Sequence, residues 1–386
     1  SVGGMRCIDG IKLDLGELTV LIGENGAGKS TIVEAAELLR KAATMPPFVD
    51  RLYQLHDGTR LFRSGAERLR LGARVEGAGP PLDYELVVLR DGAHLSIDIE
   101  IAIEADTRIA MSREGAAAGW PAADAPEGQA IRLDHPIGVA ETLLGGAQFL
   151  GIAAAERLQR ALAAIEVHVP LDLRTSWATP QVGATARSSN LARPVERLDP
   201  GGTNLANVYA RLKNQPNWRE TLGRLRLVFG EVDDVLIQPD PSGGTIGLEV
   251  RWESGLEVPL SGLSDGQVSM LALLAIQQLR RKVPPSLIVI DEPEAHLHPG
   301  VIRRVAAGLS ETGDEWPVLV ATQSDAFLDA ISDRLDAFVH CRLDAQRRTE
   351  LSRLDRANVQ GWLDEFRGVG ELRREGLEDL AFPPVS

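Results

Sequence analysis

The chain has 386 residues, 44% hydrophobic and 25% charged, enough for a substantial core in one large domain or two to three small ones. Its formal charge of −14 excludes a generally basic coat for nucleic acid, though not a local basic patch. Only Cys7 and Cys341 are present, far apart and in no C-x-x-C pair, which excludes a disulfide framework and a cysteine zinc site and fits a reducing cytoplasm.

No apolar run reaches the roughly 18 residues of a membrane span, and the first residues lack the basic and apolar regions of a signal peptide, so a cytoplasmic chain is expected. Residues 7–13 and 18–22 read as two short strands joined by a turn. Gly23-Glu24-Asn25-Gly26-Ala27-Gly28-Lys29-Ser30 follows and matches G-x-x-x-x-G-K-[ST], the phosphate-binding loop, ahead of an Ala/Leu/Glu-rich helix over 31–43. Its glycines let backbone N–H groups turn onto phosphate oxygens, and the helix N-terminus adds partial positive charge. Lys29 is expected to reach the β- and γ-phosphates and Ser30 to offer its hydroxyl to Mg²⁺, with Asn25, Gly26, Gly28 and Thr31 completing the cradle. A nucleotide ligand is expected.

Pro46-Pro47 ends the helical pattern, and 48–66 shows no clean period. Leu69, Leu71, Ala73 and Val75 alternate with polar residues, 83–90 is β-rich, and Leu95, Ile97, Ile99, Ile101 and Ile103 alternate strictly. Such alternation predicts antiparallel strands with one buried and one wet face, Arg68, Arg70 and Arg74 lying on the wet one. The stretch 112–130, rich in Ala, Gly and Pro, reads as a loop or linker, 138–165 as helical and 177–200 as irregular. A helix is predicted from Thr203 as cap to about Lys213 and another over 218–229, followed by strands at 232–238, 245–252 and 256–260. There is no internal repeat and no sustained heptad pattern.

Ser261-Gly262-Leu263-Ser264-Asp265-Gly266-Gln267 precedes an almost wholly apolar helix over 268–281, which must be buried, with Arg280, Arg281 and Lys282 at its C-terminal end. Ser264 and Gly266 thus stand at a helix N-terminus, which suits an anion or a plain N-cap. The apolar run 287–290 ends in Asp291-Glu292-Pro293-Glu294, the pattern of a central parallel strand. Asp291 at its end is expected in the Mg²⁺ shell beside Ser30, and Glu292 is expected to polarise the attacking water. His296 and His298 lack an evident third metal ligand. A last buried strand, 318–321, ends at Thr322-Gln323-Ser324, where Gln323 can reach the γ-phosphate; the charged tail from Asp344 reads as a solvated face, with a helix around 357–366.

Phosphate loop, Ser-Asp-Gly-Gln, Asp-Glu-Pro-Glu and a Gln switch, in that order, resemble the head of an ABC-type ATPase. Glu294-Ala-His-Leu-His-Pro299 and Gly202-Thr-Asn-Leu-Ala206 are similar to its RecF, SMC and OLD branch, including stand-alone ATPases of bacterial anti-phage systems. The resemblance implies an α/β fold of P-loop NTPase, ABC-head type, with a mixed central sheet, an antiparallel β subdomain and a helical lobe. The expected division is 1–110 (first part of lobe I), 111–137 (linker), 138–284 (helical lobe II), 285–343 (rest of lobe I) and 344–386 (tail). It further implies a homodimer or higher homo-oligomer whose heads sandwich ATP between one phosphate loop and the other subunit's Ser264, Gly266 and Gln267, with hydrolysis through Glu292 and Gln323. Three departures stand out: Gln323 replaces a frequent His, Gln148 is the candidate for the Gln loop, and no Toprim-type acidic cluster follows.

The functional expectation is therefore a slow ATPase that dimerises around ATP and Mg²⁺ and controls a separate effector protein in anti-phage defence. A DNA-repair or chromosome-maintenance ATPase acting directly on DNA is the alternative, and a non-hydrolysing scaffold a third reading, against which Glu292 speaks. No membrane partner is expected, and the residue that stacks on adenine is not identified.

Overall fold

The computed structural model describes residues 1–386 except 45–46, 78, 106–107, 116, 122–129, 133–137, 139, 150, 175–183, 241–242, 355–367, 378–381 and 383–386. In chain order, β1 (Val2–Met5), β2 (Ile8–Ile11) and β3 (Leu18–Ile22) lead into α1 (Lys29–Thr44) and α2 (Phe48–Leu55). There follow β4 (Arg68–Val75), β5 (Leu82–Asp91), β6 (His94–Glu104), β7 (Arg108–Glu114), β8 (Ala117–Pro121) and β9 (Ala130–Arg132). Next come α3 (Ala153–Ala163), β10 (Ile165–His168), β11 (Asn190–Leu191), α4 (Leu205–Lys213), α5 (Trp218–Phe229), β12 (Val232–Pro239), β13 (Thr245–Trp252) and β14 (Glu257–Pro259). The chain closes with α6 (Asp265–Gln278), β15 (Leu287–Asp291), α7 (Pro299–Gly313), β16 (Val318–Ala321), α8 (Asp325–Ala330), β17 (Phe338–Leu343), β18 (Thr349–Arg353) and α9 (Val369–Arg374).

The central sheet has the order β10-β15-β16-β3-β17-β18, parallel except for the β17–β18 hairpin. Both of its faces are covered, which is why β3, β15 and β16 read as unbroken apolar runs. Val20, Ile22, Ile288, Ile290, Val318 and Val320 pack toward α6 and α7, while Leu21, Leu287, Val289, Leu319 and Ala321 pack toward α1. Because the strands are parallel and in register, Ile22, Asp291 and Ala321 finish at one edge. That edge, at the carboxyl ends of the strands, is where open α/β sheets place their ligands.

A second, antiparallel sheet runs β2-β1-β4-β5-β6-β7-β8-β9. It differs from expectation in two ways. Part of the supposed linker is strand, β7 to β9 extending the sheet, with 122–129 and 133–137 outside the described residues. The alternation in β6 does not keep one face buried. Val88 pairs with Ile97 but Val87 with Ile99, so Asp98 is an extra residue, and a one-residue slip turns every later side chain over. Leu95 and Ile97 are buried, then Glu100 and Ala102 take the inside while Ile99, Ile101 and Ile103 are half-buried. Glu100, fully buried, accepts from Tyr84 Oη (3.0 Å) and from the backbone N–H of Leu143 (2.6 Å) and Leu144 (2.9 Å), tying the following turn to the sheet. On the wet face Arg68 pairs with Asp98 (3.0 Å) and Arg74 with Asp83 (2.8 Å).

The region expected as helix over 138–165 instead holds a 3₁₀ turn, Leu144–Phe149, then α3 and the start of β10. Helices α4 to α6 cluster with the small sheet β11-β13-β12, to which β14 adds. Helix α6 is apolar all round and buried, as its sequence requires. It stops at Gln278, before Arg281. That arginine folds back to donate to the carbonyls of Ile276 (2.9 Å) and Leu279 (3.0 Å), so it caps the helix rather than extending it. Asn204, not Thr203, holds the N-cap position of α4, its side chain bonding Asp199 N and Arg197 O. The tail is not simply solvated: β18 joins the central sheet and α9 docks on α8, while the helix expected at 357–366 lies outside the described residues. Among the described residues no helix is long and apolar enough to cross a membrane.

Candidate nucleotide-binding site

The phosphate loop leaves the end of β3 and enters α1, as its spacing predicts. Two of its glycines are dictated by what presses on them. A Cβ on Gly23 would stand 2.0 Å from the carbonyl oxygen of Cys341, and one on Gly28 would stand 2.5 Å from Thr349 Oγ1. Gly28 also has φ of +104°, a conformation that side chains disfavour. Thr349 Oγ1 donates to the Ala27 carbonyl (3.0 Å), so β18 braces the back of the loop. Lys29 Nζ donates to the carbonyls of Gly23 (2.8 Å) and Glu24 (2.9 Å). Burial holds its pKa below the usual lysine value, which favours exchange of these contacts for the full charges of a phosphate.

Asp291 stands at the end of β15, with the Ser30 side chain close enough to act on its carboxylate. Burial pushes its pKa up to about 6, against the effect of Ser30 and Lys29 and with that of Glu292 and Glu294. Its Oδ1 is buried with no hydrogen-bond partner among the described residues. A half-satisfied carboxylate beside a serine hydroxyl is a hard-oxygen pair of the kind Mg²⁺ takes, so these two residues fit that ion.

Glu292 follows in a left-handed conformation, φ +48°, rare for a non-glycine residue and held by its amide's bond to Ala321 O (2.8 Å). Gln323, at the end of β16, donates Nε2–H to Glu292 Oε1 at 2.8 Å. The two residues expected to handle the attacking water are thus in direct contact. Ser264 caps α6 in a reciprocal box: its Oγ accepts from Gln267 N (3.3 Å) and its own N–H donates to Gln267 Oε1 (2.9 Å). The box is exposed. Gly266 lies against the turn after Glu292, where a Cβ would come 2.8 Å from the His296 carbonyl oxygen.

The profile of the family described as "AAA domain, putative AbiEii toxin, Type IV TA system" matches residues 183–329, under half of the chain but spanning the signature, Asp291-Glu292 and Gln323. The phosphate loop, the parallel sheet order and this match agree. The fold is that of a P-loop ATPase domain. Solved structures similar to the head include an SMC head bound to the C-terminal winged-helix domain of ScpA, 14% identical, with 92% of this chain and 97% of that one covered and a TM-score of 0.49. An SMC head from Thermotoga maritima is 12% identical over 92% and 97%, TM-score 0.40. An SMC head with an extended coiled coil bound to the ScpA C-terminal domain, from Pyrococcus furiosus, is 13% identical over 95% and 98%, TM-score 0.48. No curated protein matches the sequence.

Several residues of this head escaped the sequence. Glu294 Oε1 accepts from Thr322 Oγ1 (2.7 Å) and Gln323 N (2.8 Å), lacing the end of β15 to that of β16. Arg187, its side chain 5% exposed, donates to the carbonyls of Leu260 (2.9 Å) and Leu263 (2.7 Å) and to Asp265, and so holds the start of the signature helix. His168, at the end of β10 and in register with Ile290, lines a cavity of about 40 Å³ together with Ser269, Asp291 and Glu292. Two sequence candidates find other places. His298 caps α7, its Nδ1 accepting from Gly300 N (3.2 Å). Gln148 is exposed in the turn Leu144–Phe149, which meets the C-terminal end of α1: Gln159 Nε2 bridges Gly145 O and Ala43 O. The loop is at the other end of that helix, about 24 Å away for 16 residues.

Proposed function

We propose that the chain is an ATP-binding and ATP-hydrolysing switch that dimerises around nucleotide and controls a partner effector in bacterial anti-phage defence. The observation that supports it best is the contact of Gln323 with Glu292 beside Lys29, Ser30 and Asp291, a hydrolytic arrangement assembled at one sheet edge. Asn25, Gly26, Gly28 and Thr31 would line the phosphates, Lys29 would exchange its two loop carbonyls for the β- and γ-phosphates, and Ser30 and Asp291 would hold Mg²⁺. When bound, that ion would supply charge neutralisation for the phosphates. Glu292, aimed by one N–H donor, would take the proton of the attacking water on its carboxylate. Gln323 would orient the same water and report the γ-phosphate. It is neutral and cannot accept the water's proton, which suits slow turnover.

The exposed Ser264, with Gly266 and Gln267, would cap the γ-phosphate of a second subunit. Contact of Gly266 with the His296 carbonyl would then link that subunit's nucleotide to this chain's own catalytic turn. The toxin wording of the matched family is in line with a role in defence. The SMC-head neighbours bind ScpA by their descriptions, and a separate protein partner is proposed here by analogy. Two of the three surface arginines considered for DNA are already paired to carboxylates, which favours the switch over direct action on DNA.

The test is ATP turnover and mass in solution of the full chain and of Glu292→Gln, each with and without duplex DNA. Slow turnover indifferent to DNA, with an ATP-dependent dimer that persists in Glu292→Gln, is the expected result. Stimulation by DNA that the substitution abolishes would shift the reading to a repair-type machine. Binding of ATP without turnover in the unmutated chain would leave a scaffold.

A further inference from the structure

We propose that Arg373, on α9 near the C-terminus, is a positioning residue for the Gln323 switch, so that the docked tail forms a working wall of the ATP site. The inference rests on the ATPase reading above and adds a residue and a segment to it.

Helix α9 is seated by both packing and hydrogen bonds. Val369 and Leu372 are buried, Val369 N donates to Ser332 Oγ (3.2 Å), and Glu371 N donates to Asp329 Oδ1 (3.0 Å). Gly370 allows the closest approach: a Cβ there would stand 2.2 Å from the Asp325 carbonyl oxygen. Helix α9 is therefore fixed in position and rotation against α8, the helix that starts directly after the switch.

From this seat Arg373 Nη1 donates to the Gln323 carbonyl at 3.0 Å and lies 3.4 Å from Asp325 Oδ1. Gln323 is consequently held at three points. Its N–H is bound by Glu294, its carbonyl by Arg373, and its side-chain amide reaches Glu292. Two of these fix the peptide on both sides of Cα, and with it the direction in which the side chain leaves. A guanidinium suits this position because its charge is permanent and its donors are set in a rigid fork.

Loss of the guanidinium would free the Gln323 peptide and misaim the side chain that contacts Glu292. The loop contacts of Lys29 and Ser30 with the nucleotide would remain. Turnover should suffer, and nucleotide binding should not.

The experiment compares the full-length chain with Arg373→Ala, Arg373→Lys and Arg374→Ala, measuring kcat and KM for ATP and amide hydrogen exchange across 322–325. Arg374 is the control because it pairs with Asp329 on the exposed side of the same helix. Arg373→Ala should lower kcat by about 10- to 100-fold with KM within about twofold, since misplacement of an ångström is enough for such losses. Exchange at 322–325 should quicken, Arg373→Lys should recover part of kcat, and Arg374→Ala should match the unmutated chain. Undiminished kcat in Arg373→Ala, or an equal loss in Arg374→Ala, would overturn the proposal, the latter by showing general loosening of the tail. Absence of turnover in the unmutated chain would instead overturn the ATPase reading on which it stands.

Discussion

Gln323 donates its side-chain N–H to one oxygen of Glu292 at 2.8 Å, and Glu292 holds that position with a backbone φ of +48°. The amide donor occupies one of the two carboxylate oxygens, and in the proposed mechanism the other would face the attacking water. The strained backbone is compatible with this only because Ala321 O and the bonds of Glu294 overdetermine the turn. In the proposed mechanism the pair would act as a preset acceptor and its aiming device.

Replacement of Glu292 by Gln removes the acceptor and keeps the shape. Turnover should fall by about 10²- to 10⁴-fold, the usual range for a general base, while ATP binding and the ATP-dependent dimer persist. Gln323→Ala should lose less, since the base remains but is no longer aimed. Steady-state turnover beside equilibrium ATP binding separates these effects; equal weakening of binding in Glu292→Gln would refute the assignment.

Gly266 offers a test of the link between the signature and the catalytic turn. Its substitution by Ala brings a Cβ within 2.8 Å of the His296 carbonyl oxygen, and backbone cannot yield as a side-chain tip can. Gly266 has an ordinary backbone φ, so the substitution adds crowding rather than left-handed strain. We expect Gly266→Ala to reduce turnover and ATP-driven association while affinity of the monomer for ATP stays unchanged. Analytical ultracentrifugation with and without ATP would show it.

Arg187 is the third position to test. Its guanidinium is buried and satisfied by carbonyls of Leu173, Leu260 and Leu263 and the carboxylate of Asp265. Truncation to Ala orphans several buried acceptors, at roughly 1–3 kcal/mol for each group left unsatisfied. Arg187→Ala should therefore melt several degrees lower and lose ATP-driven association, whereas Arg187→Lys recovers stability only in part, lacking the fork that meets four acceptors. An unchanged melting temperature in Arg187→Ala would refute this role.

What could be read from the sequence follows from the length scale of each signal. The loop, the signature cap, Asp291-Glu292 and Gln323 are local patterns whose strand or helix flanks place them, so β3, β15, β16 and α6 were legible. Arg187, Glu294 and Arg373 act on partners 78, 28 and 50 residues away, and no spacing rule announces such pairs. The β6 face was misread for another reason: Asp98 is polar in an alternating run and gives no sign of being the extra residue of a bulge. The α9 docking was hidden because two glycines and a short apolar pair, Val369 and Leu372, look like a loop until Asp325 and Asp329 are beside them.

Glu166 and Arg281 give the pH dependence. Arg281 Nε and Nη2 donate to the two Glu166 oxygens at 2.7 and 2.8 Å, both side chains about 6% exposed, with His168 Nε2 3.6 Å away. Burial would raise the Glu166 pKa, but His168 and Arg281 outweigh it and hold the group at about 2. A carboxylate whose pKa is lower folded than unfolded contributes stability that is complete above its unfolded value, near 4.5, and is lost as pH falls toward about 2. Across that window the unfolded chain binds the proton first, so acid favours unfolding. Glu166→Gln keeps the volume but leaves Arg281 as an uncompensated buried charge, which costs about 3–5 kcal/mol at neutral pH. The variant should accordingly be much less stable at pH 7 and show a flatter loss of stability between pH 4.5 and 2. Urea titrations at several pH values test both statements, and an acid slope identical to that of the unmutated chain would show that the pair does not control the acid limb.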